Sequence, residues 1–245
     1  MVNYRAFVLL SICILACGAC APTSDSLVDR SPARDAATTY YVRPDGGSAA
    51  QCLGYVDAPY PGSGSDQPCA WDHPFRALPP GGPPRIAGGD TLLIAAGSYR
   101  LGYGAPGSGP CDADAVFDCH MSPLPAGPDS AHPTRFLGAG WETGCANPPE
   151  LWGAERPWYL LNLEGSDNVE VACLEITDHS ECVEDHTGGL ACEREVAPFG
   201  DWAPVGLYAV DAENVVLRDL DIHGLANTGI HAARLAGWTV QNVRI

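Results

Sequence analysis

The densest group of ionisable side chains on one short segment consists of Arg218, Asp219, Asp221 and His223. Two nearby carboxylates can serve as general acid and general base, and an arginine or a histidine can take a proton from a substrate. These four are therefore the candidate catalytic residues. The sequence contains 13 arginines and no lysine, which excludes a Walker loop and Schiff-base chemistry, because both need an ammonium group.

Three aspartates, Asp112, Asp114 and Asp118, lie in a segment bounded by Cys111 and Cys119. Crowded carboxylate oxygens are the ligands that Ca²⁺ prefers, so this segment is a candidate calcium site. It lacks the glycine and the final glutamate of an EF-hand loop, and a solvated acidic loop is the alternative.

A second segment combines the zinc-ligand types histidine and cysteine, at His179, Cys182, His186 and Cys192. Their separations are irregular. Because thiols pair in an oxidising compartment, a disulfide between Cys182 and Cys192 is favoured over a zinc site.

The charge of the chain restricts its partners. Thirty acidic and 13 basic residues give the 245-residue chain a formal net charge of −17. An acidic surface repels phosphate backbones and anionic lipid, so nucleic acid and polybasic membrane contacts are excluded. The length allows one sizeable core or one elongated solenoid.

The first 20 residues have the pattern of a secretory signal. A positive residue precedes an apolar run, residues 6–16, that is too short to span a bilayer. The segment that follows resembles a bacterial lipobox, in which Cys17 or Cys20 would be lipidated; ordinary cleavage and release is the alternative. Residues 21–38 are polar and aperiodic, as expected of a flexible linker. We therefore expect an exported bacterial protein, either secreted or held at the outer membrane or cell surface by a lipid.

Export would allow the remaining cysteines to form disulfides. Short separations along the chain favour two pairs, Cys111–Cys119 and Cys182–Cys192; a third pair, Cys52–Cys69, is added without that argument, and one pair is the remainder. The predicted pairs are Cys52–Cys69, Cys111–Cys119 and Cys182–Cys192, with Cys145–Cys173 left over.

The C-terminal third contains an internal repeat. The segments 167–176, 213–222 and 236–245 align with apolar residues at the same four positions. They are offset by 46 and then by 23 residues, so the period is 23. We expect the larger offset to hold a loop that replaces or enlarges one repeat. Short strands that recur at such a period are typical of stacked parallel coils.

The alternation of apolar residues slips by one position within each repeat. The slip falls at residues 172–173, 218–219 and 241–242. A strand cannot change the face it presents to the core without a bend, so the sequence predicts a corner or bulge at each of these positions.

The chain resembles right-handed parallel β-helix proteins of the pectate-lyase-like superfold in two regions. These are the repeats in residues 160–245 and a Gly-Asp-Thr-strand-Gly-x-Tyr pattern in residues 89–100. The resemblance implies an all-β, single-stranded parallel β-helix over residues 39–245. We expect a short capping helix at residues 72–78, long disulfide-stapled loops and further coils beyond Ile245. A leucine-rich repeat and an antiparallel sandwich are the alternative folds.

Stacked coils would place equivalent outward residues in columns about 4.8 Å apart. On this basis Tyr208, His231 and Arg244 are candidate substrate-binding residues, because aromatic rings and guanidinium groups suit sugar recognition.

The resemblance implies polysaccharide binding or processing. Lyases of this superfold use an arginine base with Ca²⁺, and hydrolases use paired carboxylates. Whether this chain is an enzyme stays open. The alternative is a non-catalytic surface or adhesion protein that binds a protein partner. We expect a monomer in either case.

Overall fold

Short parallel strands make up most of the regular structure in residues 36–184 and 192–245, which are the residues that this computed structural model describes. The strands are β1 (Thr39–Gly47), β2 (Thr91–Ile94), β3 (Ser98–Leu101), β4 (Thr134–Gly138), β5 (Glu150–Gly153), β6 (Tyr159–Asn162), β7 (Val169–Asp178), β8 (Val205–Val210), β9 (Val215–Ile222), β10 (Thr228–Ala233) and β11 (Thr239–Arg244). Neighbouring strands of both sheets pair in parallel. The predicted all-β class is confirmed.

The strands form one sheet of eight and one of three in the described part of the chain. The larger sheet has two parts because β7 pairs with β4 through its first half and with β5 through its second half. We call β1, β2, β4 and the first halves of β7, β9 and β11 the first surface. The second surface consists of β3, β5 and the second halves of the same long strands. The third surface is the three-stranded sheet of β6, β8 and β10.

The registers of the long strands confirm the sequence alignment. Val169 lies beside Val215, and Leu220 lies beside both Leu174 and Val243. Inward side chains from all three surfaces form one continuous cluster of buried residues. Burial of aliphatic side chains along these columns supplies the main stabilisation of the fold.

The predicted bends occur at equivalent positions of the three long strands. Cys173, Asp219 and Asn242 have φ angles of +61°, +54° and +52°. This left-handed conformation turns the chain between the first and second surfaces, and Asp and Asn tolerate it better than most residues. Asn242 Nδ2 also donates to Asp219 Oδ1 at 3.0 Å, which links two bends along the stack.

A second column of left-handed residues precedes the long strands. Asn168, Asn214 and Gly237 have φ angles of +52°, +53° and +67°. Asn214 Nδ2 donates to Asn168 Oδ1 at 3.2 Å, and Asn168 Nδ2 donates to the Gly127 carbonyl at 3.1 Å. The side chains therefore bond along the stack while the backbone makes its turn.

The 23-residue period also relates β8 to β10, but it does not extend to strands β1 to β5. Thr39 pairs with Thr91 and Thr91 with Arg135, steps of 52 and 44 residues, because long loops separate these strands. Strands β7 and β9 are direct neighbours, so the offset of 46 is a single step that contains an enlarged loop.

The expected capping helix is replaced by a single 3₁₀ turn, Pro74–Arg76; a second such turn is Val116–Asp118. His73 caps the first turn, because its Nδ1 accepts the Phe75 N–H at 3.1 Å. Asp72 instead pairs with Arg76, with a Nε–Oδ1 distance of 2.7 Å. A Pro-Gly-rich loop begins at Pro79, and the few residues between Pro74 and this loop are too short a segment for an α-helix.

The structure contains the three predicted disulfides, Cys52–Cys69, Cys111–Cys119 and Cys182–Cys192, and also the remaining pair, Cys145–Cys173. Four disulfides indicate an extracellular or secreted protein. Across residues 36–184 and 192–245, no helix has the length and apolar character needed to cross a bilayer. The predicted signal, the lipidation candidates Cys17 and Cys20 and most of the linker lie outside the described residues.

Candidate functional site

The bend at Asp219 separates the four candidate catalytic residues. Arg218 points out from the first surface, whereas Asp221 and His223 belong to the second. Arg218 contacts Asp219, with a Nη1–Oδ2 distance of 3.1 Å. His223 Nε2 bonds Glu175 Oε1 at 2.9 Å. The four residues therefore contribute to two separate sets of contacts.

Arg218 belongs to an ion-pair cluster on the first surface. Its Nε and Nη2 lie 2.9 and 2.8 Å from Glu170 Oε1. Arg135 approaches the other Glu170 oxygen at 3.0 Å. The two guanidinium groups also lie over Trp141, 5.2 and 5.8 Å from its ring centre. These contacts neutralise Arg218 and hold the Trp141 loop, which Cys145–Cys173 ties to the bend.

A column of polar residues crosses the second surface. It contains Ser98, Glu150, Glu175, Asp221 and Arg244 in direct register. Three of the five are carboxylates on adjacent strands, and each has a basic partner. His179 Nε2 lies 2.8 Å from one Glu150 oxygen, and Arg244 Nε lies 2.7 Å from Asp221 Oδ1.

Two of these contacts favour the ionised form of the carboxylate, at Asp221 and at Glu150. The hydrogen bond from Arg244 lowers the pKa of Asp221. Burial acts to raise the pKa of Glu150, but the hydrogen bonds from His179 and Ser98 outweigh it, and the net pKa is lowered. A general acid at neutral pH needs the opposite shift, so neither group is prepared to donate a proton.

Aromatic rings stack along the third surface. The Tyr159 and Tyr208 centroids are 4.7 Å apart, and those of Tyr208 and His231 are 5.3 Å apart, with both pairs nearly parallel. Asn162 shares the register of Tyr208 and His231 but is buried, and its Nδ2 donates to the Tyr159 hydroxyl at 3.3 Å. Two of the three candidate binding residues, Tyr208 and His231, thus lie together, and Arg244 lies on another surface.

A groove of about 370 Å³ adjoins the His231 end of this stack. Its apolar wall contains Trp158, 54% exposed, and Phe117, 40% exposed. The two rings meet edge to face at 6.5 Å. The Trp158 N–H donates to the Phe117 carbonyl at 2.8 Å, which fixes the two backbones together. We call this site the Trp158 groove.

The opposite wall is polar. Arg156 Nη2 lies 3.0 Å from Glu184 Oε1. Asn227 Nδ2 donates to the Glu184 carbonyl at 3.0 Å, and Thr228 Oγ1 donates to Asn227 Oδ1 at 2.6 Å. Charged and neutral hydrogen-bonding groups thus line the same groove as two exposed aromatic rings.

The connection between β5 and β6 carries both Arg156 and Trp158 to the groove. Glu155 and Arg156 have φ angles of +64° and +57°, which is costly for residues with a side chain. The Glu155 N–H bonds the Gly200 carbonyl at 2.7 Å, and the Arg156 N–H bonds the Trp202 carbonyl at 3.1 Å. The Arg156 guanidinium also lies 5.5 Å from the Trp202 ring centre. The loop before β8 therefore holds this unusual backbone in place.

Sequence reasoning did not identify the Trp158 groove. Its aromatic rings and its Arg156–Glu184 pair come from separate connections outside the 23-residue repeat, although strands β8 and β10 of the repeat also line it. The available signal is a tryptophan after Glu-Arg-Pro, between two strands, where no alternating pattern requires an apolar residue.

The proposed metal ligands do not converge. Among the described residues, no group of three or more His, Cys, Asp and Glu side chains is placed to hold a metal ion. Asp112, Asp114 and Asp118 do not form such a group, and Asp112 Oδ1 accepts the Asp114 backbone N–H at 3.0 Å within the acidic loop; the calcium site stays a prediction. For the alternative zinc ligands, His186 lies outside the described residues, and Cys182 and Cys192 form a disulfide.

Comparisons with known proteins assign no family to this chain. No family model matches the chain, and no curated protein matches it.

Proposed function

We propose that this chain is an exported β-helix protein that binds polysaccharide in the Trp158 groove. Three features support the β-helix: parallel registers, bends at equivalent positions of successive long strands, and three surfaces around one core. The right-handed coil and the lipid anchor rest on the sequence resemblance. Four disulfides support export.

The exposed Trp158 ring is the observation that carries the binding proposal. Aromatic side chains with one free face are enriched at binding surfaces, because their burial by a ligand is favourable. A sugar ring offers apolar C–H groups to such a face and hydroxyl groups to polar neighbours. Phe117 extends the apolar wall, while Arg156, Glu184 and Asn227 supply donors and acceptors beside it.

The contacts on the other surfaces favour binding over cleavage. Arg218 is paired with Glu170, and the carboxylates of the second surface are each paired with a base. These pairs join neighbouring strands or the residues that directly follow them, as expected of a surface that stabilises adjacent strands. We therefore propose a binding protein rather than a lyase or a hydrolase.

A glycan array followed by calorimetry on the full chain tests this proposal. We expect oligosaccharide binding that Trp158→Ala weakens roughly tenfold or more. Tyr55→Ala is the matched control, because Tyr55 is also about half exposed but contacts Tyr40 near β1 instead of the groove. The Tyr55→Ala variant should bind the oligosaccharide with the same affinity as the wild type.

The opposite results are equally clear. If no glycan binds, or if both variants bind alike, the polysaccharide proposal is wrong and the adhesion alternative gains support.

Labelling with an alkyne palmitate analogue tests the anchor separately: a Cys17→Ser/Cys20→Ser double variant should lose the label.

A further inference from the structure

We propose that the Trp158 groove selects uncharged sugars and discriminates against uronates. This inference rests on the proposed function, because it specifies the ligand class of the same site. It departs from what the acidic-polysaccharide lyases of the resembling superfold would suggest. The contacts of Arg156 carry the argument.

Arg156 is the one arginine among the described residues that line the groove, and its charge is already matched. Its Nη2 lies 3.0 Å from Glu184 Oε1. Arg194 Nε also approaches that oxygen, at 3.3 Å, and the Glu184 side chain is only 15% exposed. A uronate carboxylate that bound Arg156 would have to compete with this partly buried carboxylate. Binding would bring a second carboxylate close to Glu184 around one guanidinium group, and the repulsion between two like charges at a partly buried site is unfavourable.

A neutral sugar avoids that competition. A hydroxyl group both donates and accepts hydrogen bonds, so it can donate to Glu184 and accept from Arg156 without separating them. Asn227 and Thr228 add neutral polar groups at the same wall. Trp158 and Phe117 then receive the apolar side of the sugar ring.

The charge of the whole chain acts in the same direction. A net charge of −17 gives a negative potential that slows the approach of polyanions and lowers their local concentration. An uncharged glycan does not experience this repulsion. The groove and the overall charge thus both favour neutral ligands.

Calorimetry of the full chain with matched oligosaccharides provides the test. A galactose tetrasaccharide and a galacturonate tetrasaccharide share ring stereochemistry and differ in charge; glucose, mannose and xylose oligosaccharides extend the neutral set. We expect at least one neutral ligand to bind about tenfold or more tighter than the uronate, in the presence and absence of Ca²⁺.

Two variants locate the selectivity. Glu184→Gln leaves Arg156 without its carboxylate partner, so it should weaken neutral-sugar binding and strengthen uronate binding, each by about tenfold. Glu181→Gln is the charge-matched control, because it removes an acidic residue nearby in sequence that does not line the groove, and it should preserve the preference. Melting temperatures confirm that both variants are folded.

The possible failures are distinguishable. Uronate binding as tight as neutral binding, lost in Trp158→Ala, would overturn the selectivity and leave the groove as a polysaccharide site. A preference that Glu184→Gln does not change would also overturn it. Absence of binding to every neutral and acidic oligosaccharide would overturn the proposed function itself.

Discussion

Protonation of the buried His73 should destabilise the fold in mild acid. The residue is 2% exposed. Its Nδ1 accepts the Phe75 N–H, and its Nε2 lies 2.8 Å from the Arg100 carbonyl oxygen. Both contacts require a neutral ring with its proton on Nε2, because a backbone N–H can bond only to an unprotonated nitrogen. Desolvation of the buried ring lowers the pKa of His73 to about 4.

The size of the effect follows from linkage. The ordinary pKa of histidine, about 6.5, applies once unfolding exposes the ring. Between about pH 6.5 and pH 4 the unfolded chain binds a proton that the folded chain does not, so stability falls as pH falls. Because one pKa unit corresponds to about 1.36 kcal/mol, the loss from His73 approaches roughly 3 kcal/mol at pH 4. Above about pH 7 this group adds no pH dependence.

Urea unfolding of the disulfide-bonded protein from about pH 4 to pH 7.5 measures this loss. His73→Asn keeps an acceptor for the Phe75 N–H but does not titrate. The variant should be less stable than the wild type at pH 7, yet lose roughly 3 kcal/mol less on acidification. His132→Asn is the control, because His132 is exposed and bonds Asp129, and its curve should follow the wild type. Parallel pH curves for His73→Asn and the wild type would refute the reasoning.

Three further changes test the scaffold by urea unfolding. Asn214→Ala should cost about 1 kcal/mol more than Asn214→Gly, because the left-handed backbone suits glycine; equal losses would contradict this account of the bend. Replacing both Cys52 and Cys69 by serine should cost about 3 kcal/mol, and an unchanged midpoint would show that the bridge adds nothing. Arg218→Met should reduce stability by about 1 to 3 kcal/mol through its bonds to Glu170, with glycan affinity unchanged; a loss of affinity at full stability would assign Arg218 to the ligand.

The repeat could be predicted from the sequence because β8 and β9 are followed by β10 and β11 after the same step of 23 residues. Segments 213–222 and 236–245 differ by one period, and the apolar slip marks each bend. Strands β1 to β5 follow the same parallel pairing, but steps of 52 and 44 residues conceal it. Parallel strands need only matching inward residues, so loops of any length can separate them without leaving a regular period.

The groove could not be predicted for a related reason. Phe117, Trp158 and Glu184 lie on three different connections, and no pattern in the sequence states which connections meet. Tyr208 and His231 were identifiable because the repeat places them in register. The sequence therefore predicts columns of residues along the stack, whereas sites formed between loops depend on packing.

Closeness along the chain is a poor guide to shared chemistry in stacked parallel strands. Arg218 and Asp221 are three residues apart, yet the bend at Asp219 directs them to different surfaces. Glu175 and Asp221 are 46 residues apart and lie side by side. The carboxylates of this column lie on adjacent strands and repel one another, and each is paired with a basic side chain, His179, His223 or Arg244. Trp158 instead keeps 54% of its surface exposed, and this is the physical reason for proposing ligand binding there rather than at the charged segment.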